Sequence, residues 1–174
     1  GLIPVFMDAE LDTLNIDAKR LESFITNKTS AIWIPNMLGN VPDWDIIQKV
    51  AKKHGLLVLE DSADTLGGTL RGTQTGCRSD ISITSFYGSH IINCGGNGGW
   101  VGINNPKMAR KARLLRSWGR TSSEFADITE AESLKKRFGI NLNGIEYDAK
   151  FIFEYPGYQL EPSEMGAAFG LVQL

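Results

Sequence analysis

An α/β fold built on a mostly parallel sheet is predicted by three observations. Short apolar runs alternate with segments whose apolar residues recur at helical spacing, so that strand-then-helix units repeat along the chain. One run, Leu56 to Leu59, is continuous, as expected of a parallel strand covered on both faces, and it stops abruptly in Glu60-Asp61. The 174 residues, 42% hydrophobic and 22% charged, are enough for one ordinary globular domain with a sizeable core.

Element by element, Ile3 to Met7 is expected to be a strand, and Asp17 to Ile25, after the polar start Asn15, a helix. Ala31 to Pro35 is a second strand. Asp43 to His54 has an acidic first turn, a basic last turn and Gly55 in the stop position, all of which suit a helix dipole, and His54 is then a helix-end residue. After the strand at Leu56 to Leu59, runs at Ile81 to Phe86 and Trp100 to Ile103 flank a glycine-rich turn, and Pro106 to Trp118 is a basic helix with proline in its first turn. The pattern breaks down from Thr121 to Tyr155, where a short helix near 129 to 137 is followed by loops. Residues 162 to 174 predict an amphipathic helix. Helices are expected on both faces of the sheet, and sites at the carboxyl ends of its strands, where Asp61 and the segment after Phe86 both lie. The chain starts directly in a strand pattern and stops inside a helical one, so a partial chain is expected.

The charge of -2 provides no basic field for nucleic acid or an anionic membrane, and the 18 Lys and Arg are scattered. No apolar stretch approaches the ~20 residues of a membrane span. The two cysteines, Cys77 and Cys94, form no C-x-x-C pair, and there is no secretory leader pattern. Small-molecule chemistry in a cytoplasmic setting is expected.

Two constellations carry chemistry. Glu60-Asp61-Ser62-Ala63-Asp64 puts three carboxylates at a strand end. They can be loop or capping acids, or one can be the ion that keeps a pyridinium ring protonated and so able to accept electrons. Thr84-Ser85-Phe86-Tyr87-Gly88-Ser89-His90, followed by Gly95-Gly96-Asn97-Gly98-Gly99, combines hydroxyls with free amides that can hold a phosphate, although a turn between strands also calls for glycine. His90 considered alone is more often a structural residue than a catalyst.

The motifs PVFMD, NIDAKRLESFITNKTSAI, LGNVPDWDIIQKVAKKHGLLVLEDSADTLGG, SDISITSFYGSHIINCGGNGGWV and PGYQLEPSEMGAAFGLVQL, in this order, resemble the DegT/StrS sugar aminotransferases of pyridoxal phosphate fold type I. The resemblance covers nearly the whole chain. It implies the central part of a large cofactor-binding domain over residues 1–174, with the family's N-terminal part and small C-terminal domain lying outside it. It also implies that Asp61 faces the pyridine nitrogen and that Ser85 binds the cofactor phosphate. The family's lysine, five residues after that serine, is His90 here, and an imidazole cannot form the stable covalent link that a primary amine forms with the cofactor.

The same exchange marks a subgroup, the nucleotide-linked 4-keto-6-deoxyhexose 3-dehydratases. SFYGSH, LGNVPDWD and the acid Asp64, counted among the cofactor-binding residues, are similar to that subgroup. Its iron-sulfur branch carries cysteines around the acidic motif and after a W-G-R motif. This chain has Trp118-Gly119-Arg120 without them, so no cluster and no metal site is expected. Departures are Asn97 in the G-E-G-G turn and Gln159 for the asparagine that reaches the phosphate of a neighbouring subunit. The resemblance thus implies pyridoxal or pyridoxamine 5'-phosphate as cofactor, a nucleotide-linked keto sugar as substrate, glutamate as a possible amino donor, a homodimer, and His90 as the proton-transfer residue of a C3 dehydration in deoxysugar biosynthesis. A sugar aminotransferase and a catalytically idle scaffold are the alternatives.

Overall fold

A computed structural model describes residues 1–125 and 130–174 and divides into two units, Gly1–Asn104 with Ser163–Leu174, and Asn105–Pro162. The first unit holds strand β1 (Ala31–Pro35), helix α1 (Trp44–His54), β2 (Leu57–Asp61), the short pair β3 (Thr69–Leu70) and β4 (Thr73–Gln74), β5 (Ile81–Ser85) and β6 (Gly99–Ile103). The second holds α2 (Pro106–Arg116), α3 (Glu130–Arg137) and the strands β7 (Ile140–Leu142) and β8 (Ile145–Tyr147). Helix α4 (Glu164–Leu171) returns to the first unit.

The main sheet runs β1-β2-β5-β6, parallel across the first three strands and antiparallel at β6. In register, Pro35 faces Asp61, Asp61 faces Ile83, and Ser85 faces Gly99. The carboxyl ends of β1, β2 and β5 therefore converge with the glycine turn before β6, where the fold class places a site.

Helix α1 forms as its termini dictate. The Asp43 carboxylate accepts from the amides of Asp45 and Ile46, and Gly55 takes the left-handed conformation (φ 64°) that stops the helix. Its buried face, Trp44, Ile47, Val50 and Ala51, packs with Ile32, Ile34 and Val58 of the sheet and with Ala18 and Leu21 into one apolar core. Helix α2 begins on proline behind the cap Asn105, whose side chain accepts from the Lys107 and Met108 amides.

Several expectations need correction. Ile3 to Met7 is not a strand: Phe6 is 87% exposed and no strand lies beside the segment among the described residues. Apolar residues alone do not make a strand without a neighbour for its N–H and C=O groups. Asp17 to Ile25 forms turns and a single 3-10 turn, Leu21–Phe24. Asn15 caps nothing there, because its Oδ1 is taken by the Met37 amide at 3.1 Å. Strand β2 is buried on alternate residues rather than on both faces: Val58 and Glu60 lie inside while Leu57 is exposed. The apolar core lies on the α1 face, and Trp33, at the other face, is exposed. Helix α4 inverts the expected pattern, with Gly166 and Gly170 buried and Met165, Phe169 and Leu171 exposed. The helix near 129 to 137 is present as α3, residue 129 lying outside the described residues, and β7–β8 is a hairpin where the sequence pattern predicts only loops.

Candidate functional site

Strand alternation decides which side chains reach the carboxyl end of the sheet together. Val58, Glu60, Ser82 and Thr84 point to the α1 side and are buried. Asp61, Ile83 and Ser85, at alternate positions in matched register, share the opposite face. Among the described residues the Asp61 carboxylate accepts one hydrogen bond, from the Ala63 amide (3.1 Å), which leaves further lone pairs for a ligand donor.

Ser85 closes β5, and its Oγ accepts from the Tyr87 amide at 3.2 Å. The loop beyond is pinned at its base: the Phe86 amide donates to the Gly98 carbonyl and the Cys94 amide to the Phe86 carbonyl. This closes a loop over 86–98 around His90, whose own amide donates to the Tyr87 carbonyl. Helix α4 packs on the same loop, so closely that a methyl group on Gly166 would fall 2.7 Å from the Cys94 carbonyl oxygen.

His90 and Asp64, from two different loops, meet. Nδ1 of His90 lies 3.3 Å from Oδ1 of Asp64, the imidazole being 20% exposed and the carboxylate 42%. The Tyr87 ring stands edge-on to the imidazole, 6.4 Å between centroids. The two groups are in ion-pair range without a hydrogen bond between them, and the carboxylate's charge favours a proton on Nδ1, leaving Nε2 as the nitrogen to exchange one. Asp61, Asp64, Ser85 and His90 thus all belong to the loops and strand ends of one sheet edge in the first unit. Gln159 belongs to the second unit, where it is exposed and forms an antiparallel bridge with Ser117.

The sequence groups Glu60 with the loop acids, but the structure separates it from them. It is 1% exposed and accepts hydrogen bonds from Asn36 Nδ2 (2.9 Å), Ser62 Oγ (2.7 Å), Ser79 Oγ (3.1 Å) and the Gly76 amide (2.8 Å). It ties the turns around the site together. Asn36, unremarked in the sequence, is its partner; the signal available was a polar residue directly at the end of a strand.

A cavity of about 880 Å³ lined by Lys49, Lys52, Leu56, Arg78, Asp80 and Asn104, among others, opens at the opposite, amino end of the parallel strands. Apart from Val58 and Ser79, its residues are not those just described. Among the described residues no three His, Cys, Asp or Glu side chains gather as metal ligands, and no helix is long and apolar enough to cross a membrane.

This arrangement has counterparts among known proteins. The chain is 38% identical over its whole length to the dTDP-4-dehydro-2,6-dideoxy-D-glucose 3-dehydratase of Saccharopolyspora spinosa, spanning 37% of that protein. Its fold matches the aminotransferase of Psychrobacter cryohalolentis with a TM-score of 0.81 at 28% identity, over 99% of this chain and 40% of that one. It also matches the Escherichia coli GDP-4-keto-6-deoxy-D-mannose 3-dehydratase with bound hydrated PLP, with a TM-score of 0.77 at 26% identity, over 97% and 41% of the two chains. The chain thus spans about two fifths of the relatives it matches. Its sheet is that of the pyridoxal phosphate-dependent fold type I enzymes. Over residues 1–174 the sequence matches the DegT/DnrJ/EryC1/StrS aminotransferase family, and the chain belongs to that family.

Proposed function

We propose that this chain is the cofactor-binding part of a cytoplasmic dehydratase that removes the C3 hydroxyl of a nucleotide-linked 4-keto-6-deoxyhexose, in deoxysugar and lipopolysaccharide O-antigen biosynthesis. The observation that carries the reading is His90, standing where the family has its lysine, with Nδ1 3.3 Å from the Asp64 carboxylate.

The residues present fit the cofactor. Asp61 has carboxylate lone pairs left for a protonated ring nitrogen, and Ser85, with the amides of the Gly95–Gly99 turn, offers donors to a phosphate. Gln159 is assigned to that phosphate across a homodimer, because the family's asparagine does the same. When bound, pyridoxal or pyridoxamine phosphate supplies an electron sink beside the sugar ketone. His90 does not hold it covalently, so Asp61 and Ser85 carry its retention. With Nδ1 beside the Asp64 carboxylate, His90 Nε2 takes up a proton at the reacting centre and delivers one to the departing C3 hydroxyl, which leaves as water. The charge of Asp64 favours the tautomer that makes this possible.

The fold similarity to the Psychrobacter aminotransferase favours a second reading, amino transfer to the same class of sugar. Both are tested by incubating the full-length protein with pyridoxamine phosphate and GDP-4-keto-6-deoxymannose, with and without glutamate, and following the sugar by mass spectrometry. Loss of water without gain of nitrogen, abolished by His90→Asn, supports the dehydratase. An amino sugar product moves the assignment to aminotransferase. A sugar left unchanged by this and other keto-sugar nucleotides points to an idle scaffold.

A further inference from the structure

We infer that Asn36 is a positioning residue for the site: it holds the turn that carries Asp61 and Asp64 at its two ends. The inference rests on the reading of those two acids given above.

Asn36 follows β1 directly and is 2% exposed. Its amide donates to the Asp61 carbonyl at 2.8 Å, and its carbonyl accepts from Thr65 Oγ1 at 2.9 Å. Its side-chain Nδ2 donates to Ser62 Oγ (2.8 Å) and to Glu60 Oε1 (2.9 Å), and Oδ1 accepts from Trp44 Nε1 (2.9 Å). Three of the five bonds end on the 61–65 turn, one just before it, and one on helix α1. One residue thus ties the turn between the two acids to the helix and to the end of the neighbouring strand. All its donors are used.

The amide has one acceptable orientation. Flipped, it would turn Oδ1 to the Glu60 carboxylate and Nδ2 to the Trp44 N–H, setting acceptor against acceptor and donor against donor. Aspartate is excluded for the same reason, since it would face Glu60 at hydrogen-bond distance as a second buried carboxylate. The exchange can, however, be reversed in both partners. When Asn36→Asp is combined with Glu60→Gln, the introduced glutamine's nitrogen takes the place of Oε1 and donates to the introduced aspartate, and the Ser62 hydroxyl turns its hydrogen from residue 60 to that aspartate. Its oxygen takes the place of Oε2 and still accepts from Gly76 and Ser79.

The test uses the full-length enzyme and pyridoxal 5'-phosphate, titrated optically at a temperature where every variant is folded. Asn36→Asp is expected to weaken cofactor binding roughly tenfold, the size typical of losing an outer support of a bound group. The pH midpoint of the bound cofactor's absorbance should move as well, and the double variant should recover both. A folded Asn36→Asp that melts lower but binds with wild-type affinity and spectrum would show a merely structural role and overturn the inference. If Asn36→Asp does not fold, Thr65→Val, which keeps the side chain's shape and removes its hydrogen bond to the Asn36 carbonyl, decides: weaker binding supports the inference, and unchanged affinity and spectrum overturn it. Wild-type protein that binds no cofactor would sink the functional reading instead. Hydrogen exchange at the Ser62 and Thr65 amides then decides the inference, because rates unchanged between wild type and the variants would overturn it.

Discussion

His90 Nδ1 and Asp64 Oδ1 stand 3.3 Å apart, each on its own loop at the carboxyl edge of the sheet. The pair bears on the imidazole's function more closely than its position in the chain does, because a carboxylate beside Nδ1 favours the basic lone pair on Nε2.

Asp64→Asn is therefore expected to lower kcat by about 10- to 100-fold with a smaller effect on KM, since an amide no longer selects one tautomer. The ring nitrogens of His90, followed by 15N NMR, should change from one dominant tautomer to a mixture. Wild-type turnover in Asp64→Asn would separate the two residues functionally.

Glu60 makes a different prediction from its neighbour Asp61, although they are adjacent in sequence. Each group against its carboxylate is a donor. Glu60→Gln sets an NH₂ against one of them, and leaving a buried donor unpaired costs about 1–3 kcal/mol. Denaturant unfolding should show that loss, whereas Asp61→Asn, at a half-buried position with one protein donor, should change stability little and cofactor affinity strongly.

What can be read in the sequence depends on how local each determinant is. Helix α1 is legible because Asp43, the basic last turn and Gly55 state its limits within one segment. Asp61 and Ser85 are legible as strand ends, and strand alternation then places them on one face. The β7–β8 hairpin carries a readable signal that the loop expectation overlooks: Asn143-Gly144 between apolar residues, with φ of 54° and 84°, is a turn with both central residues left-handed. Arg71-Gly72 does the same for β3–β4 with a less typical first residue. By contrast, Ile3 to Met7 has strand composition but no partner strand among the described residues, which no local pattern reveals. The hub at Asn36 and the Asp64–His90 pair depend on contacts between distant segments, so the residues alone can nominate them but not join them.

In the second unit, Gly119 and Gly157 press their backbones together. A methyl group on Gly157 would overlap the Gly119 nitrogen, and one on Gly119 would overlap the Tyr155 carbonyl. This gives the glycines of the W-G-R and G-Y-Q motifs a packing reason: the approach lets the Trp118 amide donate to the Tyr158 carbonyl and the Tyr158 amide to that of Leu115. Gly157→Ala should cost ~1–3 kcal/mol, as overpacking does, and raise hydrogen exchange at the Trp118 and Tyr158 amides. Wild-type protection in Gly157→Ala would mean the backbones part without loss.

Acid should weaken the link between α1 and the β3–β4 hairpin. The Arg71 guanidinium, donating to both oxygens of Asp43 at 3.1 Å and also paired with Asp45, holds the Asp43 carboxyl below the usual aspartate range. A depressed folded pKa means that the stabilisation is fully present above the unfolded value of about 3.9 and is lost as pH falls through the folded one. Asp43→Asn keeps an oxygen to cap α1 but loses the charge favoured first by Arg71 and then by the Ile46 and Asp45 amides, so it reports what the ionised carboxylate contributes. Wild type should melt above Asp43→Asn at pH 7 and at pH 5, and the gap should close as the pH falls below 4. Both side chains are more than a third exposed, so high salt at pH 7 should shrink the gap as well. A gap that stayed constant from pH 7 to the acid limit would assign the effect to the helix cap and leave the ion pair with none.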